Sequence, residues 1–299
     1  MSCFAVSTSF RAAGDRSAVV CADRGAGAAP GHDTGGRGSA RAFFGAGGAG
    51  AQGGFAVQHR PGSHSIPPDR QWPVSAGGDQ SRQAPGKPAF QGRARFPAQT
   101  VEFLRRGYVV VLPMRQGFAR SGGPYIGGSC NIEINGQQQA EDVVAALDYM
   151  VSQPYVDKER IVVIGQSHGG LTTMAFSTVS YPGVLGVVNF AGGLRNLSCP
   201  DWEDRLIDTF GNYGKDARYP SLWIYGDNDS YWPAPLPDRM FNAYKANAKG
   251  PAARARMVDV GEFGADSHRL FSAREGIPIW LPEVGAFFRS LGLPFDNGS

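Results

Sequence analysis

Ile161-Val162-Val163-Ile164-Gly165-Gln166-Ser167-His168-Gly169-Gly170-Leu171 is the stretch whose reading decides the fold. Its first four residues form a short, continuously apolar run, which suits a strand buried on both faces of a parallel sheet. From Leu171 to Ser180 the composition is helical. Between the two lies Gly-x-Ser-x-Gly. Alone that pattern is weak, because Gly and Ser are common; between a strand and a helix it is strong. A sharp turn there lifts the Ser hydroxyl out of the sheet, while the flanking glycines let strand and helix pack closely. A helix N-terminus behind it favours developing negative charge. Ser167 is therefore the candidate nucleophile. The backbone N–H of His168 is the candidate oxyanion donor. The bland alternative is an ordinary glycine-rich turn.

The same alternation extends on both sides. Pro97 to Arg106 suits a helix, with Pro near its start and Gly107 as its stop. Tyr108 to Pro113 is a buried-strand run, followed by a Gly-rich loop through Gly117, Ser121, Gly122 and Gly123. Ala140, Val143, Val144, Leu147 and Met150 recur at helical spacing. Val184 to Phe190, Leu222 to Tyr225 and Met257 to Val260 read as further strands. Helices are expected over Asp238 to Ala248 and Trp280 to Leu291, while residues 192–218 read as irregular and polar. Strand and helix in series imply a mostly parallel sheet with helices on both faces.

A serine nucleophile needs a base. The chain has five histidines, His32, His59, His64, His168 and His268. The first three fall in a segment of anomalous composition. His168 belongs to the turn itself, which leaves His268 in the polar loop Gly264-Ala265-Asp266-Ser267-His268. That loop follows the last strand, and carboxyl ends of strands are where such sheets carry their sites. The alternative is a surface-loop histidine. An orienting carboxylate should follow the strand Leu222–Tyr225, in Gly226-Asp227-Asn228-Asp229. Asp227 sits in the turn, where Asp commonly bonds its own backbone. Asp229 comes later, beyond the end of the sheet. Both are candidates at this point.

These segments resemble the α/β-hydrolase superfamily, in particular its dienelactone-hydrolase-like and prolyl-oligopeptidase-like members. The match runs through Phe103 to Pro113, Gly165 to Gly170, Leu222 to Asp229 and His268. It covers residues 96–293 and is specific for fold and nucleophile, loose for substrate. The resemblance implies that Asp229, fourth in its Gly-x-x-Asp turn, is the triad acid. It implies a serine esterase forming an acyl-enzyme on a small-molecule ester or a short peptide, with no metal or organic cofactor. The aromatics of 192–218, Trp202, Phe210 and Tyr213, are expected in a cap, and Trp232 in a pocket wall. Plain packing is the alternative for each.

Composition breaks near residue 84. The first Leu is Leu104, the first Glu Glu102 and the first Tyr Tyr108. A segment so poor in large apolar residues buries too little surface to offset the entropy of ordering itself. Residues 1–83 are thus expected to be disordered, and 84–299 to be the catalytic domain. The resemblance also requires an early strand ending in His-Gly, whose loop supplies the second oxyanion donor. Its place reads Ser75-Ala76-Gly77-Gly78-Asp79-Gln80-Ser81-Arg82-Gln83. Reading the possible codons of Ala76 to Ala84 one base later permits Leu-Val-Val-Ile-Asn-His-Gly-Lys. The first strands are therefore expected to be missing or garbled by a frameshift that ends near Ala84. A natural low-complexity extension is the alternative.

Net charge is only +3, and no helical stretch clusters Lys and Arg on one face, which argues against nucleic acid. No apolar run reaches membrane-spanning length. The start as written has no signal peptide, whereas the shifted frame near residues 17–29 permits a Leu-rich run. An exported protein would let Cys130 and Cys199, both in loops after strands on one edge of the sheet, form a disulfide. Nothing in the sequence sets the oligomeric state. A peptidase on short peptides is one rival reading; a non-catalytic chain that has lost its oxyanion loop is another.

Overall fold

The computed structural model describes residues 53–59, 95–116, 121 and 130–296. In chain order the elements are β1 (Gly53–His59), α1 (Pro97–Leu104), β2 (Tyr108–Val111), α2 (Ile132–Val151), β3 (Val156–Gln166), α3 (His168–Phe176), β4 (Val184–Phe190), α4 (Trp202–Asp216), β5 (Ser221–Tyr225), α5 (Leu236–Asn247), β6 (Arg256–Asp259) and α6 (Ile277–Ser290). The strands form one sheet in the order β2-β1-β3-β4-β5-β6. β3 to β6 run parallel. β2 shares their direction, because both β2 and β3 are antiparallel to β1.

The alternation of side chains along each strand divides the core in two. Val109, Val111, Ile161, Val163, Val187, Trp223 and Tyr225 face the layer of α2, α3, α4 and α5. Tyr108, Val110, Val162, Ile164, Val188, Phe190, Leu222 and Ile224 face α1 and α6. Phe103, Trp280 and Phe288 anchor that second layer. Strands buried on both faces explain why the sequence shows continuous apolar runs instead of alternation. This is the α/β-hydrolase fold.

Two expectations need correction. Residues 1–83 were expected to be disordered and the first strands missing or garbled, yet Gly53–His59 lies between β2 and β3. Phe55 pairs with Val111 on one side and with Val163 on the other. The physical reason is that β2 and β3 would otherwise bury unpaired N–H and C=O groups, each costly away from water. The expected garbled strand at residues 75–83 lies outside the described residues, as does most of the Gly-rich loop after β2. The second correction concerns residues 192–218, which contain α4. Leu206, Phe210 and Tyr213 are buried in the core, with Phe210 5.0 Å from the Trp223 ring. Those residues are packing, not cap.

Candidate active site

Ser167 stands between the end of β3 and the start of α3, with φ 55° and ψ −122°. A positive φ is strained for a side chain other than glycine, so the surroundings must hold it. The Ser167 N–H donates to the Phe190 carbonyl at 2.9 Å, and the Gly193 N–H donates to the Ser167 carbonyl at 3.0 Å. Gly165 is required by the close approach of strand and helix, since a Cβ there would run into the Gly169 carbonyl.

Three loops converge on this hydroxyl. His268 Nε2 lies 2.9 Å from Ser167 Oγ. His268 Nδ1 lies 3.0 Å from both carboxylate oxygens of Asp229. Ser167, Asp229 and His268 are 4%, 5% and 9% exposed, so water competes little for these bonds. Asp229 Oδ1 also accepts the N–H groups of Tyr231 and Trp232, at 2.8 and 3.1 Å. With Nδ1 carrying its proton toward Asp229, Nε2 is left to accept from the Ser167 hydroxyl. The arrangement can therefore move a proton from Ser167 to His268.

The two aspartates differ in position. Asp227 is exposed, and its N–H donates to the Gly261 carbonyl. Repulsion from Asp259, then slight burial and the nearby Glu262, hold its carboxyl above the usual range. It has no bond to His268. Trp232 is buried at 1% exposure, its indole N–H donating to the Ala191 carbonyl at 2.6 Å. Its ring sits 6.0 Å from that of His268, so it backs the imidazole from within.

His168 places its backbone N–H at the first turn of α3, beside Ser167. Its imidazole enters a polar cluster under the helix. Nε2 is 2.6 Å from Asn135 Oδ1 and 2.7 Å from Gln139 Nε2; Nδ1 is 3.4 Å from Arg115 Nη1. Burial first, and the Arg115 charge second, push the imidazole well below its usual pKa, so it stays neutral.

Several site residues were missed in the sequence. Tyr231 stacks on His268 with centroids 4.4 Å apart, and Arg195 lies over Tyr231 at 4.5 Å. Asp266 accepts from the His268 N–H at 3.0 Å and from the Ser230 N–H and hydroxyl at 3.0 and 2.7 Å. The Asp two residues before the histidine was a legible turn signal. Nothing local marked Arg195.

A family model for the prolyl oligopeptidase family matches residues 94–288, which take in the turn, both carboxylate candidates and His268. The chain belongs to the prolyl oligopeptidase family. Relatives within reach of it include dipeptidyl-peptidase 5 of Porphyromonas gingivalis, 37% identical over 70 residues, which are 22% of this chain and 10% of that protein. Acylamino-acid-releasing enzyme 1 of Oryza sativa subsp. japonica is 31% identical over 97 residues, 29% of this chain and 12% of that one. The matched stretches thus span about a tenth of the length of these relatives. Among solved structures, a puromycin-hydrolyzing peptidase of Mycobacterium tuberculosis aligns with TM-score 0.47 and 19% identity, over 66% of this chain and 32% of the other. An acetyl xylan esterase from Paenibacillus sp. R4 aligns with TM-score 0.46 and 17% identity, over 67% and 70%.

Proposed function

We propose that this member of the prolyl oligopeptidase family is a serine hydrolase that cleaves small-molecule carboxylic esters through an acyl-enzyme. The observation that carries the reading is the unbroken relay from Ser167 Oγ to His268 Nε2 and from His268 Nδ1 to Asp229. Ser167 attacks the ester carbonyl as His268 takes its proton. His268 then protonates the departing alcohol, and a water repeats the sequence on the acyl-enzyme. Asp229 holds the imidazole tautomer and stabilises the imidazolium without itself taking the proton. The His168 N–H and the positive end of α3 face the developing oxyanion.

A second reading, cleavage of short peptides by the same three residues, is favoured by the family and by the peptidase name of one of its relatives. Turnover of a panel of chromogenic esters and a panel of short peptides separates the two. Ester turnover without peptide cleavage is expected. Peptide cleavage would move the assignment to the second reading, and no turnover of either would overturn both.

We further propose that the protein is exported, a placement that the Cys130–Cys199 disulfide supports, since disulfides persist in oxidising compartments. The composition of residues 1–83 supports the proposal that part of this segment is read in a shifted frame. Sequencing of the coding DNA tests it, and an unshifted frame would refute it.

A further inference from the structure

β3 puts a polar side chain where its pattern calls for an apolar one. Val162 and Ile164 face α1 and α6, and alternation along the strand sends Gln166 to the same side. The register agrees. Ile164 lies beside Val188 and Gln166 beside Phe190, and both of those neighbours belong to the layer of α1 and α6. Gln166 is buried, and an amide taken out of water is costly unless it is bonded. Its Nε2 donates to the His268 carbonyl at 2.6 Å, a buried bond between residues 102 apart in sequence. The residue immediately before the nucleophile thus holds the main chain of the base.

His268 sits in a short 3-10 helix, Ser267–Arg269. Its N–H donates to Asp266 Oδ1, and Asp266 Oδ2 accepts from the Ser230 hydroxyl, so Asp266 ties the base to the loop of Asp229. Gln166 ties the base to the strand of Ser167. Both backbone polar groups of His268 are therefore held by side chains. A second glutamine braces the same loop farther on: Gln99 of α1 donates through Nε2 to the Phe271 carbonyl at 2.6 Å. That bond touches neither Ser167 nor His268. Gln166, by contrast, is bonded across the gap that Ser167 Oγ and His268 Nε2 close at 2.9 Å. With Ser167 next in the chain, the reach of this amide fixes how far the base stands from the hydroxyl.

We infer that Gln166 is a positioning residue, which sets the separation of His268 from Ser167 by holding the His268 carbonyl. The inference rests on the serine-hydrolase reading, and it deepens that reading by adding a residue that acts through the base. Gln166 takes no part in proton transfer. Removing its amide leaves the three triad side chains chemically intact and frees the main chain of one of them. A displacement of about 1 Å at a reacting group can cost on the order of 100-fold in rate. His268 serves both formation and hydrolysis of the acyl-enzyme, so the two steps slow together. The loss therefore falls on kcat and leaves KM nearly unchanged.

The test uses the full chain and 4-nitrophenyl acetate, with the wild type, Gln166→Met and Gln99→Met. The first variant keeps the length of the side chain and removes the donor. The second removes a bond of equal length from the same loop, and so measures what loosening alone does. Gln166→Met should lower kcat about tenfold or more with KM within about threefold. Gln99→Met should lower Tm with kcat within about threefold. A smaller kcat loss in Gln166→Met, a KM that rises in step, or an equal kcat loss in Gln99→Met overturns the proposal while leaving the hydrolase reading intact. Should Gln166→Met fail to fold, Gln166→Asn carries the same comparison, its amide one methylene short of the His268 carbonyl; wild-type kcat there overturns the proposal. If the ester is not turned over, the rate at which a fluorophosphonate labels Ser167 replaces kcat as the readout. A wild type that neither turns over the ester nor takes the label overturns the hydrolase reading, and the Gln166 proposal with it.

Discussion

Asp227 and Asp229 are two residues apart and meet opposite surroundings. The turn after β5 sends Asp227 outward toward Asp259, while Asp229 points inward to His268. Asp229→Asn keeps the shape but inverts the hydrogen-bond sense at Nδ1, so kcat should fall on the order of 10⁴-fold. Asp227→Asn should change kcat by less than about threefold, as expected of a surface position. Steady-state ester kinetics on the two variants check this, and equal losses would contradict the assignment. Asp266 offers a pH test. Burial pushes its carboxyl up, but the bonds from Ser230 and from the His268 N–H, with the His268 charge, outweigh that and hold it below the usual range. A folded pKa below the unfolded one gives stability that is present above the unfolded value, about 3.9, and is lost as pH falls through the folded value. The difference in Tm between wild type and Asp266→Asn should therefore narrow below about pH 4. A difference that stays constant with pH would show that the bonds made by Asp266 do not depend on its charge.

At the scale of elements, α4 separates what the sequence shows from what it hides. β2, β4, β5 and the Ile161–Ile164 part of β3 are legible because burial on both faces leaves them largely apolar, whereas the polar, exposed start of β3 at Asp157–Arg160 is not. The turn at Ser167 is legible because its chemistry demands glycine at fixed places. α4 is hidden because Gly211 and Gly214 interrupt it, and glycine is a poor helix former. Gly214 is there for packing: a Cβ would collide with the Tyr244 backbone in α5. β1 is hidden for another reason. Its place in the sheet comes from the backbone groups of β2 and β3 that it satisfies, and no alternation in Gly53–His59 announces it. The candidate triad was readable by elimination among few histidines, whereas Arg195 joins the site only through the path of the loop after β4, and Tyr231 through that of the loop after β5. If α4 is core and not cap, Phe210→Ala should cost about 3–5 kcal/mol in urea unfolding. Unchanged stability with a raised KM would restore the cap.

At the scale of the whole molecule, one covalent bond links the layer of α2 to the loop beside the nucleophile. Cys130 and Cys199 are 69 residues apart in sequence, with 5.7 Å between their Cα atoms. Closing so long a loop restricts the unfolded chain, and reduction should lower the unfolding free energy by about 2–4 kcal/mol. Unfolding with and without a reductant measures the difference. Two free thiols in the purified protein, found by mass spectrometry, would contradict the bond.

All three scales meet at the strained serine between β3 and α3. The relay to His268 and Asp229 should raise the nucleophilicity of that one hydroxyl above every other in the chain. A fluorophosphonate probe followed by peptide mapping by mass spectrometry reads this directly. The account predicts a single adduct on Ser167, absent from Ser167→Ala together with the esterase activity. An adduct on another residue, or labelling that survives the substitution, would contradict it.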